Sequence, residues 1–150
     1  MRYGLLLLML WAVAAVQAAE VGPCGDLNRI DFLAGNPRTF ANGSIRVAAV
    51  DTYGEPVCCS YHLLVFIPEQ EIGSQCFAVS QESASSEAGS ARGFFSLNVE
   101  GIQANYDPKR GLLLKVPYSL YEESGKGVPG TALVRINQKG SGSVTVERAR

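Results

Sequence analysis

FFSLNVEGIQANYDPKRGLLLKVPYSLY, residues 94–121, is the stretch that decides the fold. Apolar side chains recur at every second position in Phe95, Leu97, Val99, then in Ile102, Ala104, Tyr106, and again in Leu112, Leu114, Val116, Tyr118. A two-residue period places one row of each segment on the buried face of a sheet and does not suit a helix. Between the last two segments stands Asp107-Pro108-Lys109-Arg110-Gly111. There Asp accepts forward backbone bonds, Pro presets φ for a type I turn, and Gly supplies the left-handed residue that returns the chain. The stretch therefore reads as a β-hairpin with a four-residue loop, its tip formed by Lys109 and Arg110. Gly101 reads as a bend that divides residues 94–100 from 102–106.

Working outward, further strands are expected at 45–52, 57–67, 75–80, 131–137 and 143–148, separated by turn signals. Residues 57–67, VCCSYHLLVFI, become apolar on both faces from Leu63 onward, which places that strand in the middle of a packed sheet. Asn42-Gly43-Ser44 is a turn signal that also matches the N-x-S glycosylation acceptor. Segments 81–92 and 122–130 are polar and read as long loops, the first of them mobile. Near the start, Asp26 caps a short helix with Leu27, Ile30 and Leu33 or Ala34 on one face and Gly35-Asn36-Pro37 as its stop. The pattern predicts an all-β fold, an antiparallel sandwich or small barrel of seven to eight short strands with a short N-terminal helix. Sandwich is the preferred form, given the double-faced burial at 63–67.

Residues 1–18 carry Arg2, an apolar run of twelve residues from Leu5 to Val16, and a Val16-Gln17-Ala18 cleavage pattern. This is the form of an export signal, and the run is short of the ~20 residues that span a bilayer. A single domain over 19–150 is expected after it, secreted or periplasmic, with no membrane span of its own. Removal of Arg2 leaves 12 bases against 14 acids, a balance without the basic surface that nucleic-acid binding needs.

Cys24, Cys58, Cys59 and Cys76 all lie beyond the signal, and an even count in an exported chain implies two disulfides. Neighbours on a strand point to opposite faces, so a Cys58–Cys59 bridge ranks last. The expectation is Cys24 paired with one of the adjacent cysteines and Cys76 with the other. A simple hairpin around 68–73 puts Cys76 opposite about Val65, several residues from Cys59. That pairing therefore demands shorter strands or a bridge between sheets.

His62 is the sole histidine. Cys59 and His62 have C-x-x-H spacing, but no second pair completes a four-ligand set, and disulfide formation consumes the thiols, so no metal or cofactor is expected. Ser60 shares the His62 face and Asp51 could orient the ring, yet no nucleophile elbow accompanies them. The carboxylate pairs Glu69 and Glu71, and Glu122 and Glu123, read as solvated loop charge rather than a glycosidase couple. No catalytic residue is assigned.

Charge is more informative. Residues 51–100 hold seven acids and one base, whereas 101–150 hold eight bases and four acids. Such a dipolar chain steers a charged partner, unless strands of the two halves interleave and cancel the asymmetry. Tyr106 and Tyr118 fall on the inward row of the hairpin, while Tyr121 lies near a loop and can anchor an interface. The expected function is a monomeric, non-enzymatic domain that binds another protein of cationic character, in the manner of a periplasmic inhibitor or immunity-type factor. Its binding residues are expected to be Glu69, Glu71, Lys109, Arg110 and Tyr121. The alternatives are a surface-assembly subunit joined through the edge of 143–148 and a small-molecule or glycan-binding module.

Overall fold

The computed structural model describes residues 19–27, 33–53, 58–69, 73–82 and 91–147, so the expected export signal lies outside the described residues. Among them, ten strands form two antiparallel sheets. The first sheet takes β1 (Glu20–Pro23), β2 (Arg38–Phe40), β3 (Ile45–Asp51), β4 (Tyr61–Pro68) and β5 (Ser74–Ser80), in the order β1-β5-β4-β3-β2. The second takes β6 (Ser96–Leu97), β7 (Gln103–Asp107), β8 (Gly111–Tyr121), β9 (Gly127–Asn137) and β10 (Ser143–Glu147), in the order β10-β9-β8-β6, with β7 also paired to β8. β6 and β7 lie end to end along one edge of β8, parted by the expected bend, where Gly101 N–H donates to Asn98 Oδ1 at 2.9 Å.

The core lies between the sheets. Ile45, Val47 and Ala49 of β3 and Leu63, Val65 and Ile67 of β4 face Leu114 and Val116 of β8 and Ala132, Val134 and Ile136 of β9. The other face of the first sheet buries Val50, Leu64 and Ala78 beneath Cys24 and Leu27. β4 therefore sits centrally, buried on both faces, as its unbroken apolar run requires. β1 and β2 are not legible in the sequence, because three or four residues carry too little periodicity. The expected N-terminal helix does not form as such. Gly25–Leu27 makes one 3₁₀ turn, and residues 28–32 lie outside the described residues. Leu33 then pairs with Val50 as an extended bridge, and Ala34 N–H donates to Ala49 O at 2.8 Å.

Two devices join the sheets. Phe94 exchanges backbone bonds with Tyr61, and Gly93 N–H donates to Cys59 O at 2.7 Å before the chain turns into β6. A Cβ at Gly93 would lie 2.5 Å from Tyr61 O and 2.6 Å from Cys59 O, so only glycine fits this crossing. At the other edge, Arg38 on β2 reaches the bend of the second sheet. Its Nη1 donates to Val99 O at 3.1 Å and to Glu100 O and Ile102 O at 2.8 Å each.

The disulfides correct the sequence reading. Cys24 pairs with Cys76 and Cys58 with its neighbour Cys59. The objection from strand alternation fails because β4 begins only at Tyr61. Cys58 lies in a turn before it, with φ at 106°. Cys76 faces Phe66, one place from the expected Val65, and that hairpin keeps it away from Cys59. Tyr106 is a second correction, since it is 68% exposed rather than core. β7 runs along a sheet edge, and the facing edge strand β2 is only three residues long, so the inward row of β7 is left uncovered. The loop expected at 122–130 is also shorter, because β9 begins at Gly127.

Arg38→Met keeps the aliphatic stem but removes the donors to all three carbonyls. We expect it to lower the unfolding free energy by about 2 kcal/mol, read as a fall in urea midpoint at unchanged slope; an unchanged midpoint would mean that the staple contributes nothing.

Candidate functional site

The antiparallel register gathers four turns at one end of the sandwich: 41–44, 69–73, 108–110 and 138–142. Gln138 Nε2 donates to Ser44 Oγ at 3.0 Å across the two sheets, and the Ile67 side chain fills the space over Gly142. Three of these turns are fixed by their own chemistry. Ala41 and Asn42 take left-handed φ values of 51° and 56°, and Gly43 N–H closes on Phe40 O at 3.1 Å. Asp107 Oδ1 accepts from Lys109 N–H at 2.8 Å and Arg110 N–H at 3.0 Å, and those two bonds hold its carboxyl below the usual range. Gly111 comes next at φ 87°, as the turn signal requires. Asn137 Oδ1 accepts from Lys139 N–H at 3.0 Å.

Of the residues expected to bind a partner, Glu69, Lys109 and Arg110 stand exposed at this end. Glu71 lies outside the described residues. Tyr121 stands at the far end of β8, ten residues from Gly111 and so about 33 Å away at ~3.3 Å per residue. It is 42% exposed, and its ring lies 5.8 Å from that of Phe95. Arg110 is not simply solvated. Its Nη2 contacts Glu147 Oε1, and the same carboxylate takes Arg135 Nε at 3.0 Å and Nη2 at 3.2 Å. The Arg135 hydrogen bonds, with the charges of both arginines, hold the Glu147 carboxyl down. Asn42, Gln138 and Lys139 also stand at this end. Their turns are legible in the sequence, but their convergence depends on register.

The boundary between the charge blocks does not coincide with the sheets, because β6 (Ser96–Leu97) and Glu100 of the acidic block lie with the second sheet. Among the described residues, 19–95 carry five acids and three bases and 96–147 carry six bases and five acids. The turns of the two sheets stand side by side at the common end.

The residues weighed for catalysis lie elsewhere. His62 is 1% exposed on the outer face of the first sheet, its Nδ1 hydrogen-bonded to Ser80 Oγ at 2.8 Å. Ser80, not Ser60, is its partner, because β5 lies beside β4 and brings Ser80 to the same face. Burial pushes the imidazole from its ordinary 6.5 to about 4, against a smaller upward pull from the Asp51 charge. Asp51 Oδ1 instead accepts Tyr53 N–H at 2.8 Å. Cys59, the other member of the C-x-x-H spacing, is bonded to Cys58. Glu122 accepts from Ser124 Oγ at 2.9 Å in the β8–β9 turn. Among the described residues, no helix is long and apolar enough to cross a membrane. No family model matches the chain, and neither does any curated protein or solved structure.

Because the folded imidazole binds its proton less readily than the unfolded one, His62 weakens the fold as pH drops from about 6.5 towards 4. The loss across that window is on the order of 3 kcal/mol. His62→Gln retains a hydrogen-bonding amide for Ser80 but does not titrate. In urea unfolding between about pH 7 and 4.5, the variant should lose less stability than the parent; equal losses would exclude His62 as the source.

Proposed function

We propose that this chain is an exported, monomeric, non-enzymatic domain that binds another protein through the four-turn end of its sandwich. The observation that carries the reading is the convergence of exposed charged turn residues from both sheets at that end. Glu69 of the first sheet stands at the same end as Lys109, Arg110 and Lys139 of the second, so that a partner with a cationic patch is attracted by the one and oriented by the others. The turns are held by side-chain and backbone bonds of their own. Little ordering is left to be done on association, and that favours binding. Export rests on the leader at 1–18, and two disulfides are compatible with an oxidising compartment. Tyr121, at the opposite end, drops out of this surface.

A second reading, assembly through an edge strand, is favoured by one feature. The ladder partner of β7 is β8 alone, and Gln103, Ala104, Asn105 and Tyr106 are exposed and uncharged on its outer edge. Such an edge lacks the charges and prolines that usually block pairing. It suits this role better than the edge of β10, whose Glu147 is already engaged by Arg110 and Arg135 and whose Val144 belongs to the core.

The two readings separate in one set of experiments. A binding domain elutes as a monomer, captures a defined cationic protein from extracts of its own source, and loses about tenfold in affinity, or about 1.4 kcal/mol, on Glu69→Lys. A stable monomer that retains nothing, or whose capture ignores charge reversal at both Glu69 and Lys109, would sink the first reading. An assembly subunit elutes as oligomers that Ala104→Lys on β7 dissolves; oligomers indifferent to that substitution would sink the second.

A further inference from the structure

The two disulfides differ in what they accomplish. Cys24–Cys76 closes a separation of 52 residues and holds the N-terminal segment on the first sheet, where Cys24 packs with Val50, Leu64 and Ala78. A bridge of that span removes much freedom from the unfolded chain. Cys58–Cys59 closes a separation of one residue. It constrains almost nothing in the unfolded chain, so loop entropy gives it no stabilising role. It is nevertheless set in a built environment, and that environment is asymmetric.

Cys59 is fully enclosed, whereas Cys58 is only half-buried, in a turn with φ at 106°, a conformation that L-residues rarely adopt. The Cys59 carbonyl is held by Gly93 N–H at 2.7 Å, and the next carbonyl, Ser60 O, accepts Thr52 N–H at 3.0 Å. Arg92, one residue before Gly93, brings its Nη2 to 3.9 Å from Cys59 Sγ while its Nη1 stands 3.9 Å from Glu82 Oε1. Arg92 is fixed there by its backbone, whose carbonyl accepts Glu82 N–H at 3.0 Å. Cys58 is thus the more exposed of the pair, and the Cys59 sulfur lies beside a guanidinium that favours a thiolate.

We propose that Cys58–Cys59 is a site of thiol–disulfide exchange, reduced by an external dithiol that attacks Cys58 and expels the Cys59 thiolate towards Arg92. One reductant thiol loses its proton and its sulfur bonds to Cys58 Sγ. The electron pair of the Cys58–Cys59 bond leaves on Cys59 Sγ. The second reductant thiolate then attacks the reductant sulfur of the mixed disulfide, closing the reductant's own disulfide and releasing Cys58 as a thiolate. Two electrons pass to the protein, and the two protons given up by the dithiol protonate the cysteines or enter solvent. Freed of the bridge, Cys58 can leave its positive-φ conformation. Cys24–Cys76 serves as the internal control, since it has structural work to do.

The probe is dithiothreitol, added in graded amounts to the oxidised, signal-free chain, with alkylation and peptide mapping as readout. Cys58 and Cys59 should be labelled before Cys24 and Cys76. With glutathione, a monothiol that leaves the mixed disulfide unresolved, the adduct should be found on Cys58. Arg92→Gln should slow reduction of Cys58–Cys59 by about three- to tenfold, as expected when the leaving thiolate loses a nearby positive charge, and leave the rate at Cys24–Cys76 unchanged. Prior or simultaneous reduction of Cys24–Cys76, an adduct on Cys59, or an unaltered rate in Arg92→Gln would each overturn the proposal. Should that variant misfold by circular dichroism, the order of reduction and the position of the adduct in the parent chain still decide.

Discussion

The sandwich depends on one backbone crossing, at Gly93 and Phe94, where the chain leaves the first sheet and enters the second. The crossing needs a residue without a Cβ, because two carbonyls of the β4 approach occupy the space where it would lie. That position sets the packing beyond it. Phe94 enters the core fully buried, with its ring 4.8 Å from Tyr118, and the Tyr118 ring lies in turn over Gly130, where a Cβ would clash with it. Gly93 thus makes room for the backbone crossing and Gly130 for the Tyr118 ring of the aromatic pair. The pair packs the inner face of the β8–β9 hairpin at the end where the first sheet no longer covers it. A larger residue at Gly93 would therefore break more than one hydrogen bond, since it would displace the aromatic seal as well.

How much of this was legible depended on whether a signal was local. The strands at 112–118 and 131–137 and the central place of β4 derive from periodicity and from unbroken apolar runs, both local properties, whereas the part of the β8–β9 ladder that pairs Tyr118–Tyr121 with Gly127–Gly130 falls partly where a loop was expected. The Asp107 turn was readable to the level of individual hydrogen bonds, because an aspartate two or three residues from its donors forms that turn in any context. Coverage was not readable. Ala104 and Tyr106 keep the alternation of a buried row, yet nothing in their own segment reports that the opposing strand is three residues long. The cysteine pairing failed for a related reason: strand alternation was applied to Cys58, which lies outside the strand.

The candidate surface shows the same division. Glu69, Lys109 and Arg110 were identified as exposed turn residues, and exposure is a local inference. Their shared location, and the separation of Tyr121 from them, come only from the register of the strands. The charge asymmetry was visible in the sequence as two blocks, but their boundary does not fall at the crossing, because β6 belongs to the acidic block and pairs within the second sheet.

The two ends of the molecule are consequently built for different tasks. At the turn end, the side chains of Ser44, Asp107 and Asn137 bond the backbone of their own turns. At the crossing end, Cys59, Gly93, Tyr61 and Phe94 are tied by backbone bonds that no side chain can replace, and the Cys58–Cys59 bridge is attached to that same knot. A change at the bridge is therefore transmitted first to the crossing and to the β3–β4 connection. It reaches the turn end only through the length of β4, whose two buried faces resist displacement. The fold thus separates the four-turn end from the Cys58–Cys59 bridge by the length of β4.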